Sequence, residues 1–148
     1  MPRDAVMDAL QVRPEIARTA HDHVGAVMRG GSVAESTKAL CAAMVSAIND
    51  CRPSIVEYRR RAAELGVDAE TLNALWDYGR SERFEPAQRA ALAAAVALTR
   101  EPRALPPAVR AQLEQHFDEG EIAEILCAIG LVNYLTRVSN ALGTQIAR

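Results

Sequence analysis

Cys51, Ser54 and Tyr58 stand at i, i+3 and i+7. On an α-helix that spacing puts all three side chains on one face. A thiol and two hydroxyls on one face can line a single pocket, with Glu35 as a candidate carboxylate beside them. Such a set suits acid–base chemistry or the binding of a polar small molecule. In the C-terminal part, Asn133 and Arg137 form an i, i+4 polar pair among apolar residues. The planar fork of Arg137 fits a substrate carboxylate. The alternative is a buried hydrogen-bonded network with Asn133 that fixes packing.

The histidines and the other cysteines give no metal pattern. His21 and His23 are two residues apart, so on a helix they point to different faces and cannot chelate one ion together. His23 falls near the apolar stripe of Val24 and Val27 and can face the pocket, whereas His116 lies close to a helix end. Cys41, Cys51 and Cys127 lack the paired spacing of a zinc site. Glycine-rich phosphate loops and the Gly-x-Ser-x-Gly elbow are absent too, so neither a metal nor another cofactor is expected.

The elements that must hold these residues are helical. An apolar-periodic piece over 5–12 ends at Arg13-Pro14, and Pro14 starts a helix to 28, stopped by Gly30-Gly31. Ser32-Val33-Ala34-Glu35 reads as a capping box opening a helix to about 49, with Leu40, Met44 and Ile48 four residues apart. Pro53 starts the next helix, to 65, which Gly66 stops. Asp68 caps a fifth with Leu72, Leu75 and Trp76 on one face, and Trp76 and Phe84 read as core. Further helices are expected over 87–99, from Pro106-Pro107, and over 119–142 after an Asp118-Glu121 cap. The last is apolar around more than one face, as in a helix that is central or shared with another subunit.

Composition agrees with an all-α fold of about seven to eight helices in one domain spanning 1–148. Apolar residues make up 49% of the chain but aromatics only 4%, with Ala very frequent, which favours closely packed helices. A formal charge of −2 supplies no basic excess for nucleic acid. No run of 18 apolar residues marks a membrane span, and an odd count of three cysteines argues against a disulfide framework. A cytoplasmic location and no membrane partner are therefore expected.

Three stretches resemble the carboxymuconolactone decarboxylase and alkylhydroperoxidase D-like superfamily. They are Val45-Ser46-Ala47-Ile48-Asn49-Asp50-Cys51 with the helix closing at Ala62-Ala63-Glu64-Leu65-Gly66-Val67; Leu75-Trp76 with Phe84-Glu85-Pro86-Ala87-Gln88-Arg89-Ala90-Ala91-Leu92; and Glu121-Ile122-Ala123-Glu124-Ile125 with Val132-Asn133-Tyr134-Leu135-Thr136-Arg137. With the Arg-Pro-Glu opening and Arg29-Gly30-Gly31-Ser32, the resemblance covers about 13–143. It implies an all-helical fold around a helical hairpin, assembled as trimers, dimers or hexamers.

In the peroxidase branch of that superfamily, a Glu precedes by twelve residues a Cys-x-x-Cys-x-x-x-His segment. The helix N-terminus lowers the thiol pKa, and the thiols reduce a hydroperoxide and close into a disulfide. Here Cys51 matches the first cysteine, Ser54 the second, Tyr58 the His and Ala39 the Glu. One of four relay groups survives. Serine cannot reduce a peroxide, so the two-cysteine mechanism is not expected.

Glu35, one helical turn before Ala39, can partly replace the lost carboxylate. The expected activity is thus non-peroxidatic acid–base chemistry on a small metabolite, of lyase, isomerase or tailoring type. Cys51, Ser54 and Tyr58 form its centre, with Glu35, His23 and Arg137 toward the substrate. Two alternatives stay open: a non-catalytic small-molecule-binding relative, and a single-cysteine alkyl hydroperoxide reductase using Cys51. Each residue also has a structural reading. Cys51 can be a buried helix-start residue, Ser54 a first-turn residue, Tyr58 a packing ring, and Glu35 the capping-box partner of Ser32.

Overall fold

The computed structural model of the chain describes residues 5–143. Its elements in order are α1 (Ala5–Leu10), α2 (Pro14–Arg29), α3 (Glu35–Ile48), α4 (Arg52–Glu64), α5 (Ala69–Asn73), a 3-10 turn (Leu75–Asp77), α6 (Pro86–Arg100), α7 (Pro107–His116) and α8 (Glu119–Leu142). No strand occurs among the described residues. α3 lies at the centre, against α4, α6 and α8. Every residue from Thr37 to Ser46 is buried, so α3 has no solvent face over most of its length. Small side chains make this possible: Ala39, Ala42 and Ala43 on α3 and Ala90, Ala91, Ala94 and Ala95 on α6 let helices approach closely. Leu40, Met44, Leu92, Phe84, Ile125, Ile129 and Val132 fill the rest of this core. A smaller cluster of Val6, Leu10, Ala17, Ala20, Leu131 and Leu135 joins α1 and α2 to α8.

α3 and α4 form a hairpin whose turn is set by backbone hydrogen bonds. Asp50 takes the left-handed conformation at φ 48°. Its amide donates to Ala47 O at 3.2 Å, and the Cys51 amide donates to Ser46 O at 3.0 Å. This six-to-one, five-to-two pattern is a Schellman closure of α3. It leaves Cys51 as the first residue before α4, with Pro53 in the first turn. Gly66, at φ 94°, closes the far end of α4 in the same way, with Val67 N donating to Ala62 O at 3.0 Å.

The α2–α3 connection differs from the capping box expected there. Ala34 occupies the cap position with no side-chain bond, and Glu35 turns away to α4. Ser32 and Val33 instead donate their amides to the Glu124 carboxylate of α8, at 2.8 and 3.0 Å. Beside it lies Lys38, whose side chain is 0% exposed. Lys38 Nζ donates to Val27 O at 2.9 Å and Gly30 O at 2.5 Å, and stands 3.6 Å from Glu124. A long-range anchor replaced the local cap because a buried ammonium must be surrounded by acceptors. Gly31 is required here. Its φ is +81°, and a Cβ would lie 2.2 Å from the Glu124 carboxylate.

The expected cap of α8 does form, with Asp118 accepting from Glu121 N at 2.8 Å and Glu121 accepting from Asp118 N at 3.0 Å. Phe84 is buried as expected, but Trp76 is 58% exposed because the 3-10 turn carries Leu75 inward and Trp76 outward. α8 is long and apolar enough to cross a membrane by length and composition, a feature that a search for unbroken apolar runs does not find.

Candidate active site

The first turn of α4 points its thiol into the protein. Cys51 is 0% and Ser54 3% exposed. Cys51 Sγ lies 3.4 Å from Ser54 Oγ and 3.5 Å from Ser139 Oγ of α8, within hydrogen-bond range for sulfur. The thiol is therefore closed in between two hydroxyls, and all three cysteines are free thiols. Cys41, deeper in α3, is buried as well, and desolvation pushes its thiol up to about 12. Cys127 on α8 is exposed.

One to three turns further along α4 the helix faces open space. A cavity of about 600 Å³ lies among α1, α2, α3 and α4. Ala39, Val24, Met28, Met7 and Leu65 give it apolar walls, and Tyr58 and Glu35 reach it from α4 and α3. Ala39 is the position where the peroxidase pattern carries Glu, and its small side chain leaves that space empty. Around the cavity runs a chain of ion pairs. Arg61 Nη2 donates to Glu35 at 2.7 Å, Arg61 Nη1 lies 3.8 Å from Glu64, and Arg60 binds both Glu64 and Glu57. Arg60 is held further in its charged form by these contacts, foremost the hydrogen bond it donates to Glu57. Arg29 also borders the cavity and has no salt-bridge partner among the described residues.

The six residues singled out by sequence thus fall into separate places. Tyr58 and Glu35 share the cavity. Cys51 and Ser54 lie together beneath it, sealed from solvent. His23 stands apart, bordering a shallow groove between α2 and α8 with Ile16, Leu131 and Tyr134. The cavity-facing stripe of α2 is His21, Val24 and Met28, at i, i+3 and i+7, which turns His23 to the other side. Arg137 stands apart too, exposed on the outer face of α8. Its neighbour Asn133 turns inward instead: it accepts from Asn49 Nδ2 at 2.9 Å and donates to Thr99 Oγ1 at 3.0 Å. That network ties the α3–α4 turn to α6 and α8, aided by Asn140 donating to Asn49 O at 2.7 Å.

Sequence reasoning weighed His21 only as a metal ligand and passed over Arg61 and Ser139 as site residues. Arg61 carried a signal, since Ser54, Tyr58, Arg61 and Leu65 continue one helical stripe. Ser139 carried none, as it is 88 residues from Cys51 in the chain. No group of three or more His, Cys, Asp or Glu side chains converges to hold a metal ion among the described residues.

The carboxymuconolactone decarboxylase family matches residues 14–97, which include α2, α3, α4 and most of α6. The chain belongs to this family. An uncharacterized Bacillus subtilis protein, YdfG, is 24% identical over 117 residues, covering 78% of the present chain and 80% of its own. Among solved structures, an Agrobacterium tumefaciens protein of unknown function, linked by name to antioxidant defence and AhpD, superposes with a TM-score of 0.86 at 21% identity, covering 94% and 95% of the two chains. A peroxidase-related protein of Silicibacter sp. TM1040 gives 0.85 at 24% identity, with 95% of this chain and 74% of that one covered. The debrominase Bmp8, captured with 2,3,4-tribromopyrrole, gives 0.84 at 21% identity, covering 93% and 74%. At these identities the likeness is one of fold, and it places the chain's all-α, AhpD-like architecture beyond doubt.

Proposed function

We propose that this carboxymuconolactone decarboxylase family member binds a small, largely apolar molecule in the cavity and acts on it by acid–base rather than thiol chemistry. One observation carries the reading: Tyr58 and the Glu35–Arg61 pair reach the cavity, beside other polar groups that include His21, Arg29 and Glu57, while the surviving relay thiol, Cys51, is fully buried between Ser54 and Ser139. A thiol must be reached by its substrate to reduce a peroxide, and a thiol enclosed between Ser54 and Ser139 lacks that access. Peroxidase chemistry through Cys51 alone is disfavoured on the same ground.

A cavity of about 600 Å³ falls in the range that encloses a small metabolite. Its apolar walls would hold the body of the substrate, and Tyr58 would donate to an oxygen on which charge develops. Glu35 would take or return the proton, and Arg61 would hold the carboxylate toward the cavity. The same ion pair favours a second reading. With its carboxylate engaged by Arg61 at 2.7 Å, Glu35 suits a ligand-binding protein without turnover.

The test is a thermal-shift and native mass spectrometry screen of the wild type, Tyr58→Phe and Glu35→Gln. The probes are small neutral ring compounds, beginning with 2,3,4-tribromopyrrole because a debrominase of this fold holds it. Saturable binding that weakens in both variants supports the cavity as the site. Binding unchanged in both variants would remove Tyr58 and Glu35 from it. Turnover of a bound compound would separate the enzyme from the binding protein.

A further inference from the structure

One cation of the cavity lining is unmatched. Arg60 is engaged by Glu57 and Glu64, and Arg61 by Glu35 and Glu64. The guanidinium of Arg29, the third arginine of the lining, makes no ion pair or hydrogen bond among the described residues. Because Glu35, Glu57 and Glu64 are matched by Arg60 or Arg61, Asp8 of α1 is the remaining carboxylate of the lining, and it does not pair with Arg29. Asp8 is exposed, where water and salt screen its charge.

Arg29 does not do the ordinary work of its position. A basic residue in the last turn of a helix serves the final carbonyls. In α2 that role belongs to Lys38, whose Nζ donates to Val27 O and Gly30 O. Arg29 reaches the other way, one turn back over Gly25. A Cβ built on Gly25 would stand 2.8 Å from Arg29 Nη2 and 3.7 Å from its Cζ. Gly25 lies inside a 16-residue helix, where glycine is disfavoured, and the missing side chain is what lets the guanidinium rest against the helix. His21, Gly25 and Arg29 stand at i, i+4 and i+8, one stripe of α2 beside Val24 and Met28 of the cavity wall. The notch at Gly25 thus lays the guanidinium along the wall, on the side of His21.

A guanidinium held in place with its donors unused is a receptor for an oxyanion. Its planar fork matches the paired oxygens of a carboxylate or a phosphate. Resting in the notch, the side chain has less freedom to lose when a ligand arrives. Val24, Met28, Ala39 and Leu65 supply apolar surface for the rest of the molecule.

We propose that Arg29, seated in the Gly25 notch, anchors an oxyanion at one end of the ligand. The cavity then takes a small amphipathic anion, a carboxylate or phosphate head on an apolar body. The inference rests on the cavity being the ligand site.

Calorimetric titration of the full chain tests it, with naphthoate, its neutral amide naphthamide, and naphthyl phosphate as probes. The wild type should bind one of the anions at least about fivefold more tightly than the amide, and the tighter anion identifies the head group. Arg29→Gln should abolish that preference and leave naphthamide binding unchanged, while Arg29→Lys should restore part of it. Gly25→Ala should move stability and recognition in opposite directions. Its Tm should rise, since alanine suits a helix interior, yet its preference for the anion should fall, since the new Cβ pushes the guanidinium out of the notch. Equal affinity of the wild type for anion and amide, or a preference that survives Arg29→Gln, would overturn the proposal and leave the cavity as the ligand site. Failure of all three compounds to bind would overturn both.

Discussion

Replacing Lys38 by Met keeps most of the side-chain volume and removes only the ammonium. That group is 0% exposed and donates to Val27 O and Gly30 O, with Glu124 3.6 Å away. Two carbonyls at the end of α2 would lose their donor in a place with no room for easy rescue. Hydrogen bonds from a charged donor contribute about 1.5–3 kcal/mol each, and breaking a buried ionic contact by deleting one partner costs about 3–5 kcal/mol. Glu124 softens the loss because it still accepts the amides of Ser32 and Val33. A destabilisation of about 3–5 kcal/mol is therefore expected, a large part of the roughly 5–15 kcal/mol that a domain possesses. For a chain of this size it corresponds to a fall in Tm of about 10 °C or more. Urea denaturation followed by circular dichroism measures it directly. Ligand binding should weaken as well, since Val27 and Gly30 flank Met28 and Arg29 of the cavity wall. A loss below about 1 kcal/mol would refute the reasoning and show that Lys38 is replaceable by an apolar side chain of its size.

Other outcomes follow from the same geometry. In the native protein an aromatic disulfide reagent should titrate Cys127 promptly and leave Cys41 and Cys51 unreacted until denaturant is added. Asp50→Gly should stabilise the chain by about 1 kcal/mol, because the φ of 48° at the α3–α4 turn suits glycine better than aspartate; no gain in Tm would count against a strained turn. Gly31→Ala should destabilise by at least about 1–3 kcal/mol, through its positive φ and the clash with Glu124. Desolvation raises the Glu124 carboxyl, but the Ser32 and Val33 amides and Lys38 outweigh it and hold the group below its ordinary value. Its contribution is thus present in full above the unfolded-state value near 4.5 and is lost as pH falls through the lower folded value. Glu124→Gln should accordingly flatten the acid limb of the stability–pH curve, and an unchanged limb would contradict the assignment.

Much of the fold was legible because helix ends are marked by local chemistry. Pro14, Pro53, Gly66 and Asp118 all begin or end helices where their types predict. The Ser32–Glu35 cap was misread because a local signal lost to a distant one: Glu124, 92 residues away, takes the Ser32 amide. Trp76 was misread because a 3-10 turn does not keep the phase of the helix before it.

The site was half legible. The spacing of Cys51, Ser54 and Tyr58 does put them on one side of α4, but a helix face can pass from sealed core to open cavity in the one turn from Ser54 to Tyr58. Burial depends on what α8 and α2 place over each turn, and the α4 sequence does not contain that. The same limit applies to His23 and Arg137, whose partners lie on other helices.

The most direct test of the central claim is hydroperoxide consumption by the purified protein with a dithiol reductant, beside a Cys51→Ala control. The sealed thiol and the missing second cysteine predict no turnover above background in either protein. Turnover by the wild type that vanishes in the control would contradict the account and place Cys51 at the centre of the mechanism.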